Sequence, residues 1–150
     1  MKVSIQEKDF DVSTELSLLR KNLPGIGGIN MFVGTVRDTH QGDDVQAMEL
    51  EHYPGMTEKA LEDIIEQAQA RWEVLNATII HRVGKLMPMD QIVFVAVASS
   101  HRGDAYAACE FMMDYLKTSA PFWKKEHTSN GFRWVDARTS DEDRLKKWQM

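Results

Sequence analysis

A chain of 150 residues with 43% hydrophobic and 27% charged residues has the composition of one globular domain, and at this length a fold buries roughly 70% of the surface its unfolded chain exposes. Its net charge of -5 excludes a general affinity for nucleic acid or anionic membranes, both of which need a basic face. The longest apolar run, Ile92 to Ala98, is far short of the ~20 residues that span a bilayer.

The N-terminal Met1-Lys2-Val3-Ser4-Ile5-Gln6-Glu7 lacks the apolar centre of a signal peptide, so a cytoplasmic location is expected. The single cysteine, Cys109, excludes an internal disulfide or a cysteine metal cluster. The five histidines, His40, His52, His81, His101 and His127, make no pair at the helical spacing of metal ligands. No metal and no organic cofactor are expected.

In chain order, Val3 to Ile5 reads as a short edge strand, and Ser13 to Lys21 as a short helix with Leu16, Leu19 and Leu23 on one side, closed by Pro24-Gly25. Gly28 to Val36 reads as a strand. The polar stretch 38–44 then reads as a mobile loop leading to a second strand, Gln46 to His52, paired with the first like a hairpin. After Pro54-Gly55, Thr57 is placed to cap a helix whose Ala60, Leu61, Ile64, Ile65, Ala68 and Trp72 repeat at helical spacing.

Ala77 to Val83 alternates and ends at Gly84, whereas Gln91 to Ala98 is apolar on both faces, the mark of a central strand. A second long helix is predicted from Gly103 to Thr118, with Ala105, Ala108, Cys109, Met112, Met113 and Leu116 inward and Pro121 as its stop. Phe122 to Thr128 and Phe132 to Ala137 flank Ser129-Asn130-Gly131, which predicts a hairpin with a type I′ turn. The tail after Ser140 is charged and half exposed. Helices mixed with hairpins indicate an α+β fold with a mostly antiparallel sheet and two main helices.

Basic residues gather at element ends. Arg37 closes a strand, His101-Arg102 precedes the second long helix, and Lys117 ends it. A helix N-terminus offers unpaired N–H groups to an anion, so His101 and Arg102 are candidates to hold phosphate or carboxylate. Lys117 and Lys124 enclose Phe122 and Trp123; a lysine beside another cation and under aromatic cover gives up its proton more readily. Taken singly, each of these reads first as the exposed cation that surfaces ordinarily carry. Cys109 shares a helical face with apolar residues and reads as packing, not chemistry. Gly25-Ile26-Gly27-Gly28 precedes a strand instead of opening a helix, which excludes a dinucleotide fingerprint.

The run Leu50-Glu51-His52-Tyr53-Pro54-Gly55-Met56-Thr57-Glu58-Lys59-Ala60-Leu61 resembles the large, catalytic subunits of molybdopterin synthase. Phe32 to Arg37, Ile80 to Gly84, Ser100 to Arg102, Met113 to Glu126 and Arg133 to Arg138 resemble that family's other blocks, in the same order. The resemblance implies one domain over 1–150, hammerhead-like with an added C-terminal β-hairpin. It implies a homodimer inside a heterotetramer, with a small ubiquitin-like sulfur-carrier subunit at each outer end.

The carrier's Gly-Gly tail ends in a thiocarboxylate, and the family passes two sulfurs from it to cyclic pyranopterin monophosphate, making molybdopterin. Arg37, His101, Arg102, Lys117, Lys124 and Arg138 match the family's pocket positions. On that resemblance Arg37 and Arg102 are expected to bind phosphate, His101 to bind or move a proton, and Lys117 with Lys124 to stabilise charge and transfer protons. Arg138 is expected to reach the other protomer's pocket, and Thr35-Val36 and Lys125-Glu126 to contact substrate through backbone groups. The alternative is a non-enzymatic module that binds a ubiquitin-like tail or an anionic metabolite; the lysine pair with Arg37 and His101-Arg102 favours the enzyme.

Overall fold

The computed structural model describes residues 1–40, 42–135 and 139–149. Two sheets divide the strands. The first has the order β1-β5-β7-β2, built from β1 (Lys2–Gln6), β5 (Asn76–Arg82), β7 (Gln91–Ser99) and β2 (Gly28–Thr35). Only β1 and β5 run parallel; the other pairs are antiparallel. Strand β7 is internal, as its two-sided apolar sequence predicts.

Alternation along β7 shows why. Val93, Val95 and Val97 face a core shared with Leu61, Ile64 and Ile65 of α2 (Met56–Arg71) and with Ala108, Phe111 and Met112 of α3 (Arg102–Ser119). Phe94, Ala96 and Ala98 point the other way, against Leu16 and Leu19 of α1 (Val12–Arg20). Both faces of the sheet are therefore covered by helices.

The second sheet runs β3-β4-β8-β9, with β6 also paired to β4: β3 (Thr39–His40), β4 (Asp43–His52), β8 (Phe122–Thr128), β9 (Gly131–Val135) and β6 (Gly84–Leu86). Its inner side packs on Val36, Val45, Leu50, Val83 and Leu86. The expected hairpin between Gly28–Val36 and Gln46–His52 does not form. Strand β2 carries apolar side chains toward the α1 core and pairs with β7, and Val36 is buried with both backbone groups bonded across to Asp90 and Met89, which turns the chain into the second sheet. The mostly antiparallel α+β arrangement expected from sequence is present, divided between two sheets in which β1–β5 is the one parallel pair among the described residues.

Other local readings change for similar reasons. The described residues of the 38–44 stretch are not a free loop, because β3 pairs with Asp43 and Asp44 of β4 and the Asp38 carbonyl accepts from the Val45 N–H at 2.7 Å. Thr57 lies inside α2, behind an N-cap at Gly55. Its buried hydroxyl accepts from Tyr53 N at 2.8 Å and donates to Pro121 O at 3.0 Å, pinning the helix start to the corner between α3 and β8. The β8–β9 turn has positive φ only at Gly131 (+104°) and not at Ser129 or Asn130. A type I′ turn needs positive φ at both central residues, so this one is of another type and the left-handed position falls on the glycine.

Helix α3 is buried on more than its sheet face. Phe111 is fully buried, and its ring packs edge-on against Trp72 and Trp148 at 5.3 and 5.5 Å. The charged tail forms α4 (Thr139–Lys146). Asp114 of α3 accepts from Arg144 Nε and from Trp148 Nε1, each at 2.8 Å, and docks the tail on the helix. No helix among the described residues is long and apolar enough to cross a membrane.

Candidate functional site

A cavity of about 570 Å³ opens where the two sheets meet the C-terminal end of α3. Charged and polar groups of its wall come from several segments, with His81 of β5 and Asp141 of α4 among them. Thr35 and Arg37 come from the end of β2, His40 from β3, Lys117 from the last turn of α3, and Lys124 with Glu126 from β8. Alternation places Phe122, Lys124 and Glu126 on the inner face of β8 and sends Trp123, Lys125 and His127 outward.

The expected site residues therefore separate. Thr35, Arg37, Lys117, Lys124 and Glu126 are brought together in one wall. Val36 is only 3% exposed and sits in the apolar core below it. Lys125 lies on the outer face, its Nζ 3.9 Å from Glu49 Oε2 and 5.1 and 5.4 Å from the rings of Phe132 and Trp134. Arg138 lies outside the described residues.

His101 and Arg102 are exposed at the opposite end of α3. They sit beside the start of β2: Gly27 is pressed so closely on Ser100 that a Cβ there would come within 2.0 Å of the Ser100 carbonyl oxygen. The fifteen-residue step from Arg102 to Lys117 corresponds to about 22 Å of helix. One protomer does not gather these cations into a single pocket.

Burial sets the electrostatics of the wall. Lys124 is half-buried beside Lys117, and desolvation first, then the neighbouring ammonium, pull its pKa down to about 7. Asp141 and Glu126 oppose that shift. Glu126 is 3% exposed and held by His40 Nδ1 at 2.8 Å and Arg133 Nε at 3.2 Å. The aromatic cover belongs to Phe122, since Trp123 turns outward against Tyr53. Lys117 is the more exposed of the two lysines.

The sequence reading missed His40, His81 and Asp141 in this wall. The period of two along β8 was enough to separate Lys124 from Lys125; His40 and His81 come from strands whose meeting only the tertiary fold decides. What results is an open-mouthed recess with two adjacent ammonium groups, one of them able to change protonation near neutrality, and a guanidinium nearby. Such a recess suits an anionic reactant whose charge moves during reaction.

Comparison with known proteins accords with this geometry. The model of the family described as MoaE protein matches residues 5–119. The molybdopterin synthase catalytic subunit of Ralstonia nicotianae is 60% identical over 97% of this chain and 83% of its own. The solved structure of the molybdopterin biosynthesis MoaE protein from Burkholderia ambifaria is 58% identical, with a TM-score of 0.86 over 99% of this chain and 98% of that one. The complex of subunits 1 and 2 of molybdopterin-converting factor from Helicobacter pylori contains a chain that is 20% identical and shares the fold, with a TM-score of 0.74 over 91% of each. The chain belongs to the MoaE family of molybdopterin synthase catalytic subunits, enzymes of molybdenum cofactor biosynthesis.

Proposed function

We propose that the cavity receives the thiocarboxylate tail of a small ubiquitin-like carrier subunit and transfers its sulfur, twice in succession, to cyclic pyranopterin monophosphate. The observation that carries this reading is the pair Lys117 and Lys124 in one recess, with Lys124 tuned to about pH 7. The thiocarboxylate sulfur bonds to an oxygen-bearing carbon of the pterin side chain, the C–O bond at that carbon breaks and its oxygen leaves as water or on the phosphate, and a water molecule then cleaves the acyl–sulfur bond. Sulfur stays on the pterin and the carrier leaves with a carboxylate. Negative charge builds and shifts in both steps. Lys117 supplies fixed positive charge and Lys124 accepts or returns a proton. The association of subunits 1 and 2 in the Helicobacter pylori complex supports a carrier of this kind.

A homodimer completes the anion site. Arg37 stands in the wall, whereas Arg102 and His101 are a helix length away in the same chain. Strand β2 is the free edge of the first sheet, with Met31 and Phe32 44% and 43% exposed. Exposed apolar strand edges invite pairing. Antiparallel pairing of two β2 edges sets the Gly28 end of one copy beside the Thr35 end of the other, so each copy lends its His101 and Arg102 to its neighbour's pterin phosphate. The assembly is then a heterotetramer in the cytoplasm.

The test is single-turnover conversion of cyclic pyranopterin monophosphate with preloaded carrier. Product is expected from the wild type. A folded, dimeric enzyme that bound loaded carrier and pterin yet released no sulfur would overturn the reading.

A further inference from the structure

His81 stands in the cavity wall with no part in the sulfur transfer as described. The side chain is 2% exposed and lies flat on Phe122, ring centroids 3.8 Å apart and planes within 18°. Its Nδ1 is 2.8 Å from the Arg82 carbonyl oxygen. A carbonyl only accepts, so Nδ1 carries the proton and Nε2 is left with a lone pair. No described residue bonds to Nε2, yet no side-chain nitrogen or oxygen among the described residues is both buried and unsatisfied. Nε2 is therefore not sealed in the core, and the surface His81 keeps is that of the cavity.

Burial, reinforced by Lys124 and Lys117, drives this imidazole's pKa down to about 3. It is neutral at pH 7, and too weak a base to take a proton from Lys124. Two roles fall away, a further cation for the anion site and a proton store. What remains is a rigid acceptor in a cavity whose other polar groups mostly attract anions. A lone pair repels phosphate and carboxylate oxygens and rewards a donor.

We propose that His81 is a specificity-determining residue whose Nε2 accepts a hydrogen bond from an N–H group of a bound reactant, beside the lysines that hold the anionic end. The inference rests on the sulfur-transfer reading, which supplies two reactants with N–H groups: the pterin ring system and the peptide groups of the carrier's Gly-Gly tail. The acceptor orients whichever of them it meets, so that the reacting atom faces Lys117 and Lys124.

Three variants separate this from packing. His81→Phe keeps the stack on Phe122 and removes the acceptor. His81→Asn keeps a donor toward Arg82 and also lacks an acceptor at Nε2. His81→Gln places an amide oxygen near the Nε2 position. Calorimetry of each dimeric variant with cyclic pyranopterin monophosphate, and separately with carrier, is expected to show about tenfold weaker binding of one reactant to the Phe and Asn variants, with Gln recovering most of it. The reactant affected identifies the donor. Wild-type affinity for both reactants in His81→Asn, or a loss that His81→Gln does not restore, overturns the proposal. If wild-type protein bound neither reactant, the failure would lie with the sulfur-transfer reading instead.

Discussion

His40 Nδ1 lies 2.8 Å from Glu126 Oε1, and this contact ties the β3–β4 hairpin to the strand that carries Lys124. Arg133 joins both partners, donating to Glu126 at 3.2 Å, to Asp43 at 2.7 Å and to the His40 carbonyl at 2.8 Å. Removing the buried Glu126 carboxylate leaves His40 and the half-exposed Arg133 without this acceptor, at a cost of about 1–2 kcal/mol. Glu126→Ala is therefore expected to lower stability by about that amount in urea unfolding, and Glu126→Gln by less. Amide exchange is expected to rise in residues 39–44. Unchanged exchange there in Glu126→Ala would show that the network does not anchor the hairpin.

How far sequence could see this site depends on the interaction concerned. The helices α2 and α3 and the central strand β7 were legible because periodicity reports burial directly: Ile64 and Ile65 recur at helical spacing, and Val93 to Ala98 is apolar throughout. Lys117 and Lys124 stood out only through resemblance, since two lysines near a helix stop are ordinary. Strand pairing was not legible. The partner of β2 is β7, with paired residues 56 (Thr35 and Gln91) to 71 (Gly28 and Ser99) positions apart in the chain, and nothing local to Gly28–Val36 distinguishes it from the nearer β4. The same blindness hid His81 and His40, whose roles come from what lies across the sheet. The tail was read as a charged end because its two anchors, Asp114 and Phe111, belong to another helix.

Lys124 has a pKa of about 7 in the folded chain against 10.5 for an ordinary lysine. Between those values the unfolded chain binds the extra proton, so stability gained from this group rises with pH across that window, and the penalty is fully present below pH 7. Lys124→Met is expected to raise the unfolding temperature at pH 6, with the gain shrinking as pH rises and vanishing near 10.5. Because Lys117 is the second cause of the shift, after burial, Lys117→Met is expected to move the Lys124 titration upward in an NMR pH series. A Lys124 resonance that titrated as an ordinary lysine in the wild type would remove its assigned part in proton transfer.

Cys109 is 2% exposed in the α3 core, and burial pushes its thiol up to about 12. Among the described residues its only polar contact is a weak one, Sγ to the Val95 carbonyl at 3.8 Å. A thiol held neutral there is a poor nucleophile and a poor sulfur relay. Cys109→Ala is expected to retain turnover within a factor of about two, and the native thiol to resist maleimide until the protein unfolds. Loss of product in a folded Cys109→Ala variant would mean that sulfur passes through this chain.

Lys117 ends α3 in the cavity wall, adjacent to Lys124 and open enough to meet an incoming anion. Charge that forms on the reacting carbonyl or departing sulfur is stabilised by an ammonium already in place, without the reorganisation that water would need. Lys117→Ala is accordingly expected to slow single-turnover sulfur transfer about 100-fold or more, the usual scale for one charge-stabilising or acid–base group, while the dimer and its affinity for carrier persist. Lys117→Arg then divides the possibilities, because arginine keeps the charge and cannot release its proton. Since the lowered pKa is that of Lys124 and Lys117 is the more exposed of the two, substantial rescue is expected at position 117 and little at 124. Near-normal rates in Lys117→Ala would sink the assignment, and rescue by arginine at 124 with failure at 117 would exchange the two roles.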